Sequence, residues 1–135
     1  MPGNVAPFPQ FADPRDRIGR PADPRHRIAA LTSDSTLLLD PTEIRFAEAN
    51  RHVVWLIADC GRFRAATRGI DKLEAELSVF GFVRVHRSFL VNPGRIRRVH
   101  RQGNGVITLN TDAGHAECIP VSRRCTQIVR RTLGI

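Results

Sequence analysis

The stretch RVHRSFLVNPGRI at residues 84–96 sets Arg84, His86 and Arg87 among apolar strand formers. Guanidinium groups are permanent planar cations, and imidazole donates or accepts near neutral pH, so such a set suits proton transfer, metal ligation or the holding of a polyanion. The surroundings separate these uses. Between Leu77 and Thr111 there is no Asp or Glu, yet Arg84, Arg87, Arg95, Arg97, Arg98 and Arg101 all fall there. General acid–base work asks for carboxylates or a histidine tuned by a neighbour, and His86 and His100 have no acid near them in sequence. His52, His86, His100 and His115 follow no ligand spacing, so neither a metal nor any other cofactor is expected. A basic tract without acids gains most from an anionic ligand, and no enzymatic activity is expected of it.

The whole chain has the same bias. Its 135 residues carry a formal charge of +8, with Lys72 as the single lysine, and the length suffices for one core rather than two. Cys60, Cys118 and Cys125 form an odd set without C-x-x-C spacing, which argues against a disulfide framework or a zinc knuckle. No stretch is long enough to span a membrane, and the N-terminus lacks the apolar core of a secretory signal, so a cytoplasmic protein is expected.

Residues 1–32 are rich in proline and arginine and repeat ADPRDRI as ADPRHRI, which predicts a flexible arm ahead of a folded domain over 33–135. Within that domain TLLLD and EIRFAEA predict two strands across a tight turn. HVVWLIA predicts a central strand covered on both faces, with RFRAAT as its partner. Ile70, Leu73 and Leu77 share a helical face, with Asp71 and Glu74 at the end the dipole favours and Gly81 as the stop. FVRVH resumes the strand alternation as far as Pro93-Gly94. RIRRVHRQ and GVITLN flank a turn as a hairpin, and HAECIP follows across Asp112-Ala113-Gly114. SRRCTQIVRRTL predicts a closing helix capped by Ser122, with Cys125, Ile128, Val129 and Leu133 as its apolar stripe. The fold class is therefore mainly β, with a short central helix and a C-terminal helix.

In this order and spacing, EIRFAEA, GIDKLEAEL, GFVRVHRSFLVN and IPVSRR resemble the LytTR family of bacterial DNA-binding domains, from about Ser35 to Leu133. The resemblance implies an elongated arrangement of small antiparallel sheets that meets double-stranded DNA through loops in successive major grooves, unlike the usual helix-in-groove plan. It implies a sequence-specific transcriptional regulator, with two copies side by side on direct repeats. Carried over residue by residue, it brings Asn50, Arg51 and His52 to the DNA, with His52 near base edges, and places Arg87 and Ser88 at the backbone. It puts Arg123 at a second base-reading position, with Ser122 and Arg124 beside it.

Arg84 and His86 alternate with valines, so they either join this surface or brace the sheet through hydrogen bonds. Phe82, Phe89, Leu90 and Val91 are expected in the core, Asn92 in a turn, and Arg97, Arg98 and Arg101 along a solvated hairpin edge. Family members usually carry a receiver or sensor domain ahead of this module. Here only the proline-rich arm precedes it, and the protein is expected to be constitutive, controlled by its own abundance, or held by a regulatory protein partner. Two alternatives stand beside the DNA reading: an inhibitor module that pairs with a longer relative, and a nonspecific nucleic-acid binder.

Overall fold

A computed structural model describes residues 26–111 and 118–135. Within them the chain forms β1 (Ile28–Leu31), β2 (Thr36–Leu39), β3 (Ile44–Asn50), β4 (Val53–Ala58), β5 (Gly61–Ala65), α1 (Ile70–Leu77), β6 (Val83–His86), β7 (Phe89–Val91), β8 (Arg98–Arg101), β9 (Ile107–Asn110), β10 (Ile119–Val121) and α2 (Arg123–Leu133). All strand pairs are antiparallel, in a seven-stranded sheet ordered β2-β1-β5-β4-β3-β7-β6 and a three-stranded sheet ordered β10-β9-β8. The mainly β class with two helices is as the sequence predicts.

Several predicted details change. TLLL does not pair with EIRFAEA: β2 pairs with β1, register Ile28↔Leu39 to Leu31↔Thr36, and β1 then pairs with β5. The Asp40–Glu43 corner explains the parting. Asp40 Oδ1 accepts from the Thr42 N–H and Glu43 Oε1 accepts from the Asp40 N–H, both at 2.9 Å, which closes a capping box around a single 3-10 turn. That turn redirects the chain instead of folding it back. The sheet also begins at Ile28, inside the stretch 1–32 assigned to the arm, and Ile28 and Ala30 are buried in it. Residues 1–25 of the arm, and the 112–117 turn with His115 and Glu117, lie outside the described residues.

One core lies between a face of the large sheet and α1. Ile70, Leu73 and Leu77 meet Ile28, Leu39, Ile44, Val54, Leu56 and Leu90 there, and Gly81 at φ 91° ends the short 3-10 turn that follows the helix. A second core joins Phe46, Val85 and Val91 to Ile107, Leu109, Ile119 and Val121 of the small sheet and to Val129 of α2. β4 is central as predicted, but only one face is closed. Val54, Leu56 and Ala58 are buried, whereas Val53, Trp55 and Ile57 are half-buried. In α2, Val129 is buried and Cys125 and Leu133 half-buried, while Ile128 remains 48% exposed. No helix among the described residues is long and apolar enough to cross a membrane.

Candidate nucleic-acid interface

Three segments carry the predicted site residues, and backbone hydrogen bonds tie them into one end of the molecule. β3 and β4 pair through Asn50↔Val53, so Arg51 and His52 form a two-residue hairpin turn, both exposed. Arg51 has φ 60°, a left-handed conformation found at no other non-glycine among the described residues. An L side chain there costs on the order of 1–2 kcal/mol, so a stability-driven sequence would favour glycine. Strain held on an exposed arginine points to a use for that side chain.

The second segment is the turn between β6 and β7, where His86 pairs with Phe89 and leaves Arg87 and Ser88 at the tip. The Ser88 carbonyl accepts from the Ala49 N–H at 2.8 Å, which sets this turn beside the β3–β4 turn. His86 Nδ1 accepts from the Ser88 N–H at 3.1 Å and its ring meets Phe89 edge-on, so the ring proton belongs on Nε2. His86 thus braces the turn with one nitrogen and keeps a donor on the other.

The third segment is the start of α2. The Ser122 N–H donates to the Val85 carbonyl at 2.9 Å, and Ser122 Oγ accepts from the Cys125 N–H at 3.2 Å, the cap the sequence predicts. The remaining first-turn N–H groups have no intrahelical acceptor, and that end of the helix dipole favours an anion. The first turn nevertheless holds Arg123 and Arg124 and no acid, an arrangement that works against the dipole by about 0.3–1 kcal/mol per cation.

Arg84, His86, Arg87, Ser122, Arg124 and Cys125 line a single open concavity of about 470 Å³. The structure therefore brings the HRS and SRR blocks together, with the Asn50–His52 turn bonded alongside. It parts the two arginines of SRR. Arg124 lines this concavity, and Arg123 lines a neighbouring groove with Thr126, Gln127, Arg130 and Arg131. Consecutive helical residues point about 100° apart, so SRR could not aim both side chains one way. A sequence reading can anticipate that divergence but not its direction.

Arg84 is held as an internal brace. With 20% of its side chain exposed, it donates to Asp71 at 2.9 Å and Glu74 at 2.8 Å, and to the carbonyls of His86 at 2.8 Å and Arg87 at 2.6 Å. Burial works against its charge, but the hydrogen bonds to Asp71 and Glu74 outweigh that and raise its pKa above the ordinary arginine value. Arg95 is also committed. Its guanidinium clasps the Asp59 carboxylate, with one contact at 3.0 Å, and donates to the Thr42 carbonyl at 2.9 Å. The tract without acids in sequence thus borrows acids in space for Arg84 and Arg95. Arg87, Arg97, Arg98 and Arg101 form no ion pair with any described residue.

Sequence reasoning passed over Gln127, Arg130 and Arg131, although their spacing from Arg123 at i+4, i+7 and i+8 would have placed them on one helical face. Among the described residues no three His, Cys, Asp or Glu side chains gather into a possible metal site. Cys60 and Cys118 are exposed and Cys125 is half-buried, all as free thiols.

One end of this β scaffold thus carries Arg51 at a positive φ, Arg87 at a hairpin tip, and Arg123 and Arg124 set against the dipole of α2. The LytTr DNA-binding domain model matches residues 34–134, and the chain belongs to that family, one of DNA-binding domains of transcription regulators rather than of enzymes. The sensory transduction protein LytT of Oceanobacillus iheyensis is 31% identical over 90 residues. That match takes in 67% of this chain and 37% of LytT, so the chain spans little more than a third of that relative. The fold is shared with the LytTr DNA-binding domain of a Bacillus cereus protein described as a methyl-accepting/DNA response regulator. The TM-score is 0.71 and the identity 24%, over 81% of this chain and 97% of that one.

Proposed function

We propose that this chain is the DNA-reading part of a transcription regulator and binds a specific double-stranded sequence through turns laid in successive major grooves. Asn50, Arg51 and His52 make one contact. His86, Arg87, Ser88, Ser122 and Arg124 make the other, two copies sit on direct repeats, and Arg84 shapes the second contact from within. The observation that carries this is the shared concavity, in which Arg87 and Arg124, a third arginine held as a brace, an imidazole N–H and a capped helix start converge. Arg124 is assigned the guanine edge in preference to Arg123, because Arg124 shares that space with Arg87. A bidentate fork there contributes about 1–3 kcal/mol of discrimination.

Selection of bound duplexes from a random pool tests the reading. A repeated motif should emerge, and log affinity for it should fall with log salt at a slope of roughly −4 to −5 if about four to six phosphates are neutralised. Arg124→Ala should flatten the preference between selected and random duplex, and Arg87→Ala should weaken both alike. Binding with no enrichment would leave only a nonspecific nucleic-acid binder. Failure to bind any duplex at low salt would favour an inhibitor module that pairs with a longer relative.

A further inference from the structure

We propose that the exposed face of α2 is a second contact surface, which grips the sugar-phosphate backbone of the duplex flanking the element read by the turns and does so without regard to base sequence. The proposal rests on the DNA-reading function above and extends its footprint. Arg123, Thr126, Gln127, Arg130 and Arg131 line one open groove of about 620 Å³ along the helix. At about 1.5 Å rise per residue, Arg123 and Arg130 stand roughly 10 Å apart along the axis. With a phosphate on each strand about every 3.4 Å of duplex axis, and successive phosphates of a strand spaced wider than that rise, that length is enough to reach about two of them.

Charge and continuity point the same way. None of these arginines makes an ion pair with a described residue, and the helix carries no carboxylate of its own. Arginine in the last turn suits the helix dipole by itself, which accounts for Arg130 and Arg131 but leaves Arg123, at the wrong end, unexplained. An anion lying along the whole face accounts for all three. Arg123 sits between Ser122 and Arg124, which line the concavity beneath the turns, so the groove begins where that concavity stops. A duplex seated on the first surface is thereby led onto the second. An open groove lined by arginine along one helix face suits a phosphate ribbon better than an acidic peptide, which would need pockets for its side chains.

The test is Arg130→Ala with Arg131→Ala in the full chain, assayed on a selected duplex and on a random one across a salt series. Both residues are exposed and alanine is a strong helix former, so the fold should persist. The salt slope should become shallower by about 1.8, about 0.9 for each phosphate that is no longer neutralised. Selected and random duplexes should weaken by the same factor. The Arg130→Lys, Arg131→Lys pair should keep the wild-type slope, and a duplex trimmed to the read element should bind wild type and alanine variant equally. If wild type selects its duplex and the alanine variant keeps the full slope, the second surface is wrong and the DNA reading stands. If wild type binds no duplex, the reading and this surface fall together. Displacement of bound duplex by polyglutamate, abolished in the alanine variant while its duplex slope stays wild-type, would assign the face to an acidic polypeptide instead.

Discussion

The two helices use the same means of attachment and opposite means of charge disposal. α1 drives Ile70, Leu73 and Leu77 into the larger core, and two of its carboxylates, Asp71 and Glu74, turn to Arg84 on the neighbouring strand. α2 fixes itself through Val129, with Cys125 and Leu133 beside it, and leaves four arginines without an acid among the described residues. Charge neutralised inside the molecule holds the scaffold in shape, and charge left open is available to a ligand. Which helix an arginine answers to says more about its role than its place in the sequence.

The broadest way to break this comparison is through the cores. Leu73 is fully buried beneath the large sheet, so Leu73→Ala should lower unfolding stability by about 2–5 kcal/mol, read as a drop in urea midpoint at constant slope. Val129→Ala removes less apolar bulk from the smaller cluster and should cost about 1–2 kcal/mol. Equal losses would mean that α2 is as much a part of the scaffold as α1, and the division of labour would fail.

A sharper cut sets Arg84 against Arg87, three residues apart on one hairpin. Arg84→Ala strands the carbonyls of His86 and Arg87 and leaves Asp71 and Glu74 unpaired. Because Asp71 is 89% and Glu74 40% exposed, the ion pairs themselves count for little, and the expected cost is about 1–2 kcal/mol, mostly from the missing hydrogen bonds. Arg87→Ala should stay within about 0.5 kcal/mol in stability and show its effect in duplex binding by fluorescence anisotropy. If Arg84→Ala left stability untouched and removed binding outright, Arg84 would belong to the open set.

Much of the scaffold was legible because it is local. The α1 stripe, the pairings of β4 with β5 and of β8 with β9, and the Ser122 cap each follow from residues within a few positions of one another. The ordered blocks from EIRFAEA to IPVSRR led to the family without a fold in hand. β1 was not legible. IAAL is four residues long, half of them alanine, and directly follows the arginine-rich arm. It joins the sheet through β5, which lies more than thirty positions further on, and its Ile28 and Ala30 are buried in the core under α1. The pairing of the arginines escaped for the same reason, since Asp59 and Arg95 stand 36 positions apart and Asp71 and Arg84 stand 13 apart. Which of Arg123 and Arg124 faces the concavity depends on how the Ser122 cap sits on Val85, which only the folded chain defines.

The strained turn offers a smaller effect of mixed sign. Arg51→Gly relieves the positive φ but frees the unfolded backbone, and these offset within about 1 kcal/mol, so denaturation should show no loss or a slight gain. Duplex affinity should fall, with a salt slope shallower by about 0.9 if Arg51 meets one phosphate. A stability gain with binding intact would remove Arg51 from the interface and leave its strain unexplained.

The smallest effect concerns the far end of β4, away from the Arg51-His52 turn, where Asp59 meets Arg95. The hydrogen bond from Arg95 holds the Asp59 pKa below its ordinary value, against a smaller opposing push from burial and with further help from the charges of Arg95 and Arg45. A carboxyl depressed in the folded state stabilises above its unfolded pKa of about 3.9 and stops doing so as pH falls through the lower folded value. Solvent screens the pair, since the Asp59 side chain is 52% exposed, so the gap in urea midpoint between wild type and Asp59→Asn should be small. It should hold steady from pH 8 to about pH 5 and close below about pH 4. Duplex affinity at neutral pH should be the same for both proteins, because this ion pair belongs to the scaffold. A midpoint gap that persisted at the lowest pH would shift the credit from the carboxylate's charge to the neutral contact between Arg95 and the Thr42 carbonyl. A change in affinity would show that Arg95, once released, joins the arginines that face the ligand.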